Sequence, residues 1–364
     1  QPLPESLGGL ARISEHSNPN TQAPQPATNN TRPNLLTPPI VLYNTPFYFH
    51  IECMQFFRGL HNIVPFEQGC VLTIGNFDGV HIGHKQVLHK LKQQGQQLNL
   101  PTVVMVFEPQ PKELFDAEGA PARLSNVADK SVLLASEKID ALACMAFNAR
   151  FRGLSAQQFV EQVLVKGLNV KALIIGDDFR FGCDRGGDFG YLQEAGKQHG
   201  FSVLATNTVQ QQGERVSSTL IRTALQQGDL AQAAALLGRP FSISGRVAHG
   251  QKLGRTLGVP TANVLLKRNK TPLNGVFAVT VATAAGEYKG VANIGMRPTV
   301  GALQPILEPH LFNFAGDLYG QRIRVTFNKK IRDEKRFNGL DELKAAIHQD
   351  IQLAQAYFED SSKP

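Results

Sequence analysis

The texture of the chain switches at Gly238-Arg239-Pro240, and that switch limits the folds open to it. Between residues 70 and 238 short apolar runs alternate with longer amphipathic ones: CVLTIG (70–75), a helical stretch near 83–97, TVVMVF (102–107), LACMAF (142–147), a helical stretch near 155–166, and KALIIG (171–176). Continuous apolar strands taking turns with helices predict a parallel sheet covered on both faces, with ligands at the carboxyl ends of its strands. After the switch, FSISGRVA, GVFAVTVAT, YKGVANIG, ILEPHLF and RIRVTF follow one another with no helical stretch between them, which predicts a compact antiparallel barrel. One last helix, roughly Leu340 to Phe358, puts Leu343, Ile347, Ile351 and Ala354 on one side and should pack that side on the barrel. The expected architecture is α/β: a doubly wound parallel-sheet domain over 54–238, then an antiparallel β-barrel domain over 239–364 with a terminal helix. A chain of 364 residues is long enough for two cores.

Residues 1–53 differ from both parts. Nine of the 21 prolines lie in the first 46 residues among Asn, Thr, Ser and Gln, a mixture with too few periodic apolar positions to pack a core. This segment is expected to be a disordered extension upstream of a natural start at Met54. The net charge of +7 is unevenly spread: residues 239–364 hold 18 Lys or Arg against 10 Asp or Glu, whereas residues 54–238 hold 17 of each. A basic domain of this size suits a nucleotide phosphate, a nucleic acid or solubility alone, and composition does not choose among them. The four cysteines, Cys53, Cys70, Cys144 and Cys183, form no C-x-x-C pair, which argues against a zinc knuckle or disulfide framework and fits reduced thiols in a cytoplasm. No apolar stretch reaches the roughly 18 residues of a membrane span, and the opening residues lack the basic-then-apolar pattern of a secretory signal. A cytoplasmic protein without a membrane partner is expected.

The segment TIGNFDGVHIGHKQVLHKL carries the sharpest chemistry. A strand leads through Gly75, Asn76, Phe77, Asp78 and Gly79 into a helix whose start is flanked by His81 and His84. Glycines let the backbone approach a ligand closely, and free N–H groups at the positive end of a helix attract phosphate. Two imidazoles three residues apart can donate to the same anion. A plain turn with two surface histidines, or half of a metal site, would show the same letters.

HIGH between a strand and a helix resembles the signature of the nucleotidylyltransferase superfamily. The longer string GNFDGVHIGH, with FEPQP (107–111), GDDFRFG (176–182) and SSTLIR (217–222) in order, closely resembles bacterial bifunctional riboflavin kinase/FAD synthetases, over nearly all of 54–360. That resemblance implies that His81 and His84 hold the ATP triphosphate, that Asn76 and Asp78 shape the turn beneath it, and that Ser217, Ser218, Thr219 and Arg222 close on the phosphates from the other side. Arg222 would stabilise the leaving group. By resemblance Phe107, Pro109 and Phe181 would wall an isoalloxazine ring, while Asp178, at the carboxyl end of an apolar strand, is placed to contact adenosine or flavin. From the residues alone, Ser217 and Ser218 read equally as helix caps before TLIRTALQQ, the phenylalanines as core, and Asp178 as part of a strand-end turn.

The string GRVAHGQKLGRTLGVPTANV (245–264) resembles the riboflavin kinase signature. Gly250, Gly254 and Gly258 give a turn that can expose backbone N–H groups, and Arg255 adds a fixed cation near phosphate. Thr261 and Asn263 are neutral oxygen donors two apart, on the same side of an extended segment, and the resemblance implies that they hold magnesium with ATP. The chain contains no Walker A motif, so a P-loop kinase is not expected. Glu308, within LEPHLF, stands where the resemblance implies a base or orienting group for the riboflavin 5′-hydroxyl. Pro309 and Asn313 depart from the family pattern, where an aliphatic residue and an Asp are expected. Proline lacks an N–H, which an edge strand tolerates and a central strand does not. Arg297, in NIGMRPTVG (293–301), falls by resemblance in a loop near the flavin pocket.

The reading is a transferase of FAD biosynthesis with two activities: a riboflavin kinase in the barrel and an FMN adenylyltransferase in the α/β domain. Riboflavin, FMN and ATP are its expected substrates, with magnesium travelling with ATP. No nucleic acid is expected as a partner, and the chain is expected to be a monomer or weak oligomer. Two alternatives stay open: a chain that keeps only one of the activities, and a nucleotide-binding protein whose basic barrel binds RNA. The second lacks the interleaved aromatic and basic residues of a stacking surface.

Overall fold

Six parallel strands build the first sheet: β1 (Gln55–Arg58), β2 (Cys70–Ile74), β3 (Thr102–Glu108), β4 (Ala141–Ala146), β5 (Val170–Gly176) and β6 (Ser202–Thr206), in the order β1-β4-β3-β2-β5-β6. A computed structural model describes residues 54–206, 210–211, 214–250, 258–266, 268–299 and 302–361, without the side chains of 210, 211, 214, 297–299 and 302–304. The expectation for residues 1–53 lies outside the described residues. All five residues of β2 are buried because alternate side chains enter different cores, Cys70, Leu72 and Ile74 on one face and Val71 on the other.

Helices cover both faces. Leu88 and Leu91 of α1 (Ile82–Leu98) share the core of Val71, and so does Leu134 of α3 (Val127–Ser136), which follows the short α2 (Pro111–Phe115). Leu192 and Ala195 of α4 (Phe189–His199) share the other. The stretch expected as one helix near 155–166 is not uniformly α: a single turn at Ala156–Gln158 runs into a π-helical segment, Phe159–Val165, that buries Phe159, Val160, Val163 and Leu164. β2 is flanked by β3 on one side and β5 on the other, so the chain order reverses there, the point at whose carboxyl end sheets of this kind bind ligands.

The helical pair α5 (Ser218–Gln227) and α6 (Leu230–Leu237) leads to the second sheet. Its strands, after a two-residue ribbon that takes the labels β7 (Gln210–Gln211) and β8 (Glu214–Arg215), are β9 (Ser242–Ala248), β10 (Asn263–Leu265), β11 (Gly275–Thr283), β12 (Gly286–Thr299), β13 (Ala302–Leu311) and β14 (Arg322–Arg332). They pair antiparallel in the order β10-β9-β14-β11-β12-β13, and the two end strands approach each other where the Ala262 N–H donates to the Pro309 carbonyl at 2.9 Å. The result is a nearly closed six-stranded barrel. Phe277, Val279 and Val281 of β11 point into it, while Val276 and Ala278 point out beneath the terminal helix. Buried residues of α5 and α6, among them Ile221, Leu225 and Leu236, belong to the same apolar cluster as the barrel interior.

The terminal helix, α7 (Leu340–Asp360), buries Ala346, Asp350, Ala354 and Phe358. The expected stripe of Leu343, Ile347, Ile351 and Ala354 is therefore turned: the first three are half-buried, and an aspartate sits at the centre of the contact. Asp350 tolerates burial because Arg332 of β14 reaches it with two bonds, Nε to Oδ1 and Nη2 to Oδ2, each at 2.8 Å.

Candidate active sites

The turn after β2 is held from several directions at once. Phe77 and Val80 have φ of 46° and 41°, a strained region for an aromatic and a β-branched residue. Gly79, at φ 84°, admits no side chain, since a Cβ there would lie 2.9 Å from Leu124 Cδ1. Asp78, 2% exposed, accepts the Ser125 N–H at 2.9 Å and the Leu124 N–H at about the same reach (3.0 Å to Oδ2). Arg222 Nη2 donates to Asp78 Oδ2 at 2.6 Å while its Nε donates to the Ala122 carbonyl at 2.6 Å. The Ser218 hydroxyl donates to the Asp78 carbonyl at 3.0 Å, and the Gly79 N–H donates to Ser125 Oγ at 2.9 Å. Asn76 itself is exposed, but its carbonyl accepts from buried Lys130 at 2.5 Å.

His81 and His84 form a reciprocal cap on α1. The His84 N–H donates to His81 Nδ1 and the His81 N–H to His84 Nδ1, both at 3.3 Å, and the rings stack with centroids 3.6 Å apart. Burial pushes His81 down to about 4, and burial, followed by the repulsion that protonating both rings would bring, holds His84 well below the ordinary imidazole value. Each ring is therefore neutral near pH 7 with Nδ1 as an acceptor, which leaves the proton on Nε2. Two Nε2–H donors and the N-terminus of a 17-residue helix make a pole that favours an anion without carrying imidazolium charge. Among the described residues no group of three or more His, Cys, Asp or Glu could hold a metal ion.

Ser217 caps α5 by accepting the Leu220 N–H at 3.2 Å, so the capping reading is correct for it, and Ser218 is the first residue of that helix. Thr219 is exposed. Gly75 follows β2, where a Cβ would lie 3.3 Å from the Phe77 ring.

At the carboxyl ends of β3 and β4 a run of rings joins two of the expected flavin residues. Phe107 meets Phe151 at 5.6 Å, Phe151 meets Phe159 at 6.1 Å, and Phe159 meets Phe181 at 5.1 Å. Phe181 is buried core, Phe107 is half-buried, and Pro109 is exposed after a cis bond from Glu108. Asp178 is exposed beyond β5, with Arg215 Nη2 3.6 Å away. The sequence reading missed Arg123, which takes Glu108 between Nη1 and Nη2 at 3.0 and 2.9 Å and also binds Glu113. It also missed Lys130, although the spacing of Val127, Lys130 and Leu134 sets that lysine on the apolar stripe of α3.

The barrel gathers the second set. The Ala262–Pro309 hydrogen bond and a 2.8 Å contact of His310 Nδ1 with the Pro260 carbonyl lay the PTAN segment along β13, next to Glu308. Asn263 is half-buried and Thr261 exposed, and a Cβ on Gly250 would lie 3.2 Å from Asn263 Nδ2. Gly258 is exposed at φ 77°. Gly254 and Arg255 lie outside the described residues, as does the side chain of Arg297, whose backbone is not in a loop as expected but in β12, paired with Gln304 of β13. Pro309 is on the last strand of the sheet order, opposite Ala292, and its carbonyl points away from β12 toward Ala262. In a strand the nitrogen of a residue points to the same side as its carbonyl, so the missing N–H costs the β12 ladder nothing. Asn313 has φ 54°, a left-handed position that Asn adopts readily.

A family model described as FAD synthetase matches residues 64–220, and one described as riboflavin kinase matches residues 237–358. The chain is 53% identical over 304 residues to a bifunctional riboflavin kinase/FMN adenylyltransferase of Pseudomonas fluorescens, covering 83% of this chain and 97% of that one. It is 52% identical over 308 residues to the protein of the same description from Escherichia coli (strain K12), covering 84% of this chain and 98% of that one. A crystal structure of a Streptococcus pneumoniae chain described as a macrolide-efflux protein superposes with a TM-score of 0.69 at 29% identity, covering 83% of this chain and 99% of that one. Among the described residues here no helix is long and apolar enough to cross a membrane.

Proposed function

Because the chain belongs to the bifunctional riboflavin kinase/FMN adenylyltransferase family, we propose that its two motif clusters divide the chemistry, the barrel site making FMN and the turn after β2 converting FMN to FAD. The enzyme is a transferase that uses ATP twice. The observation that carries the division is the pair of separate assemblies: a neutral histidine pair capping a helix at the carboxyl end of one sheet, and a glutamate beside a PTAN segment at the closure of the other. The division of the chain at about 238/239 is proposed on the same ground.

In the barrel, Glu308 accepts the proton of the riboflavin 5′-hydroxyl as that oxygen attacks the γ-phosphorus of ATP, and the bond to the β-bridging oxygen breaks to release ADP. Thr261 and Asn263 are neutral donors, suited to a magnesium ion that arrives with the nucleotide's charge rather than to a resident metal. Such an ion would neutralise charge on the phosphates. Gly250, Gly254 and Gly258 allow the backbone to approach the nucleotide, with Arg255 beside it, and Arg297 belongs to the flavin side.

In the α/β part, an oxygen of the FMN phosphate attacks the α-phosphorus of ATP and pyrophosphate leaves. No proton transfer is needed, so catalysis rests on placed donors. The Nε2–H groups of His81 and His84 hold the triphosphate as neutral donors, while Gly75 to Gly79 bring the backbone close. Ser217, Ser218 and Thr219 close the other side. Arg222, fixed by Asp78, sets a cation beside the leaving group. Phe107 and Pro109 flank the isoalloxazine, Phe181 supports them from the core, and Asp178 faces the nucleotide. The reading places a monomer or weak oligomer in the cytoplasm and requires no nucleic acid.

The test is reciprocal. Glu308→Gln fed riboflavin and ATP should make FMN at least about 10²-fold more slowly, yet should make FAD from supplied FMN at the wild-type rate. His84→Ala should do the opposite, and identical losses in both variants would contradict two separate sites.

A further inference from the structure

The adenylylation turn is braced by a residue from the other side of the sequence switch. Arg239 follows Gly238, the left-handed cap of α6 (φ 69°), and folds back over the end of that helix. Its Nη2 donates to the Gly79 carbonyl at 2.5 Å, and its Nη1 to the carbonyls of Val80 at 3.1 Å and Leu237 at 3.3 Å. Those first two carbonyls belong to the two residues directly before His81, of which Val80 holds the strained φ of 41°. The end of α6 packs on the same place: a Cβ on Gly79 would lie 3.3 Å from Leu237 Cδ2, and one on Gly238 would lie 3.1 Å from Ile82 Cγ2.

A positive φ at a β-branched residue is costly and persists only where the surroundings over-determine it. The carbonyls of Asn76 and Asp78 have Lys130 and Ser218, as described above. For Gly79 and Val80 the side-chain donor is Arg239, and a guanidinium can serve two neighbouring carbonyls from separate nitrogens. Burial lowers Arg239 to about 10, so it stays cationic at neutral pH and adds positive charge behind the phosphate pole.

We propose that Arg239 is a positioning residue for FMN adenylylation: by holding the Gly79 and Val80 carbonyls it fixes the turn that presents His81 and His84, although it lies within the segment matched by riboflavin kinases. The inference rests on the assignment of adenylyl transfer to this turn. It means that the adenylylating part is not complete when cut at the sequence switch.

The experiment compares the full chain with Arg239→Ala and Arg239→Lys, measuring FMN formation from riboflavin, FAD formation from FMN with kcat and KM for ATP separated, and thermal melting. A displaced turn costs on the order of 10²-fold in rate when reacting groups move by about 1 Å. Arg239→Ala is expected to lose about that factor in kcat/KM for adenylylation, shared between a lower kcat and a higher KM for ATP, while FMN formation is unchanged. Arg239→Lys, which keeps the charge but offers one nitrogen in place of the two that reach the Gly79 and Val80 carbonyls, should recover part of the loss. Wild-type adenylylation in Arg239→Ala overturns the inference, and so does an equal fall of both activities together with melting temperature. A wild-type chain that makes no FAD would instead refute the assignment of the turn itself.

Discussion

Arg222 Nη2 stands 2.6 Å from Asp78 Oδ2 with the two side chains only 12% and 2% exposed, so a motif arginine from the middle of α5 and a motif aspartate from the turn after β2 are one unit. The resemblance assigned them different tasks, one at the leaving group and one beneath the turn. The geometry makes the first depend on the second. Removing one partner of a buried pair leaves the other uncompensated, at a cost of about 3–5 kcal/mol.

Asp78→Ala should therefore destabilise the protein by about 3 kcal/mol and suppress FAD formation, because the Leu124 and Ser125 N–H groups lose their acceptor along with Arg222. Arg222→Ala should also suppress FAD formation while sparing FMN formation. Denaturant unfolding and the two flavin assays check both, and an Asp78→Ala protein of wild-type stability would contradict the account.

The histidine pair predicts a sign for pH. His81 is lowered to about 4 from 6.5, so between those values the unfolded chain holds a proton that the folded chain refuses. Its contribution to stability is complete above about 6.5 and is lost as pH falls toward 4. Ring resonances of His81 and His84 followed by NMR should not titrate between about pH 5.5 and pH 8. An inflection near the ordinary imidazole value would show that the rings are not buried acceptors.

Glu308→Gln should lower FMN formation by about 10²–10⁴-fold, the range of a lost general base, with FAD formation from supplied FMN unchanged. Steady-state rates on each substrate decide it.

Pro309→Val should leave the kinase geometry intact, since the proline nitrogen faces away from the β12 ladder. Loss of the rigid residue should cost about 0.4–1 kcal/mol through the unfolded chain. A thermal melt together with an FMN assay would reveal any larger effect.

The sequence made both layers and the order of the chemistry legible because each is written locally. Strand and helix periods separate the two sheets, and the residues of GNFDGVHIGH and PTAN are contiguous. What escaped was written across distance. Arg239 reads as part of a junction until its guanidinium is seen on the Gly79 carbonyl. Asp350 breaks an apolar stripe until Arg332 meets it, and Arg123 has no motif of its own beside Glu108 and Glu113. Lys130 was the readable exception, a cation at a stripe position of α3. Pro309 looked like a defect in a strand, and only the sheet order, which puts that strand last, makes it harmless.

The central claim is tested most directly by incubating the chain with riboflavin, ATP and magnesium and separating the flavins chromatographically over time. FMN should appear first and FAD should follow, with one pyrophosphate released for each FAD. Absence of both FMN and FAD would contradict the account.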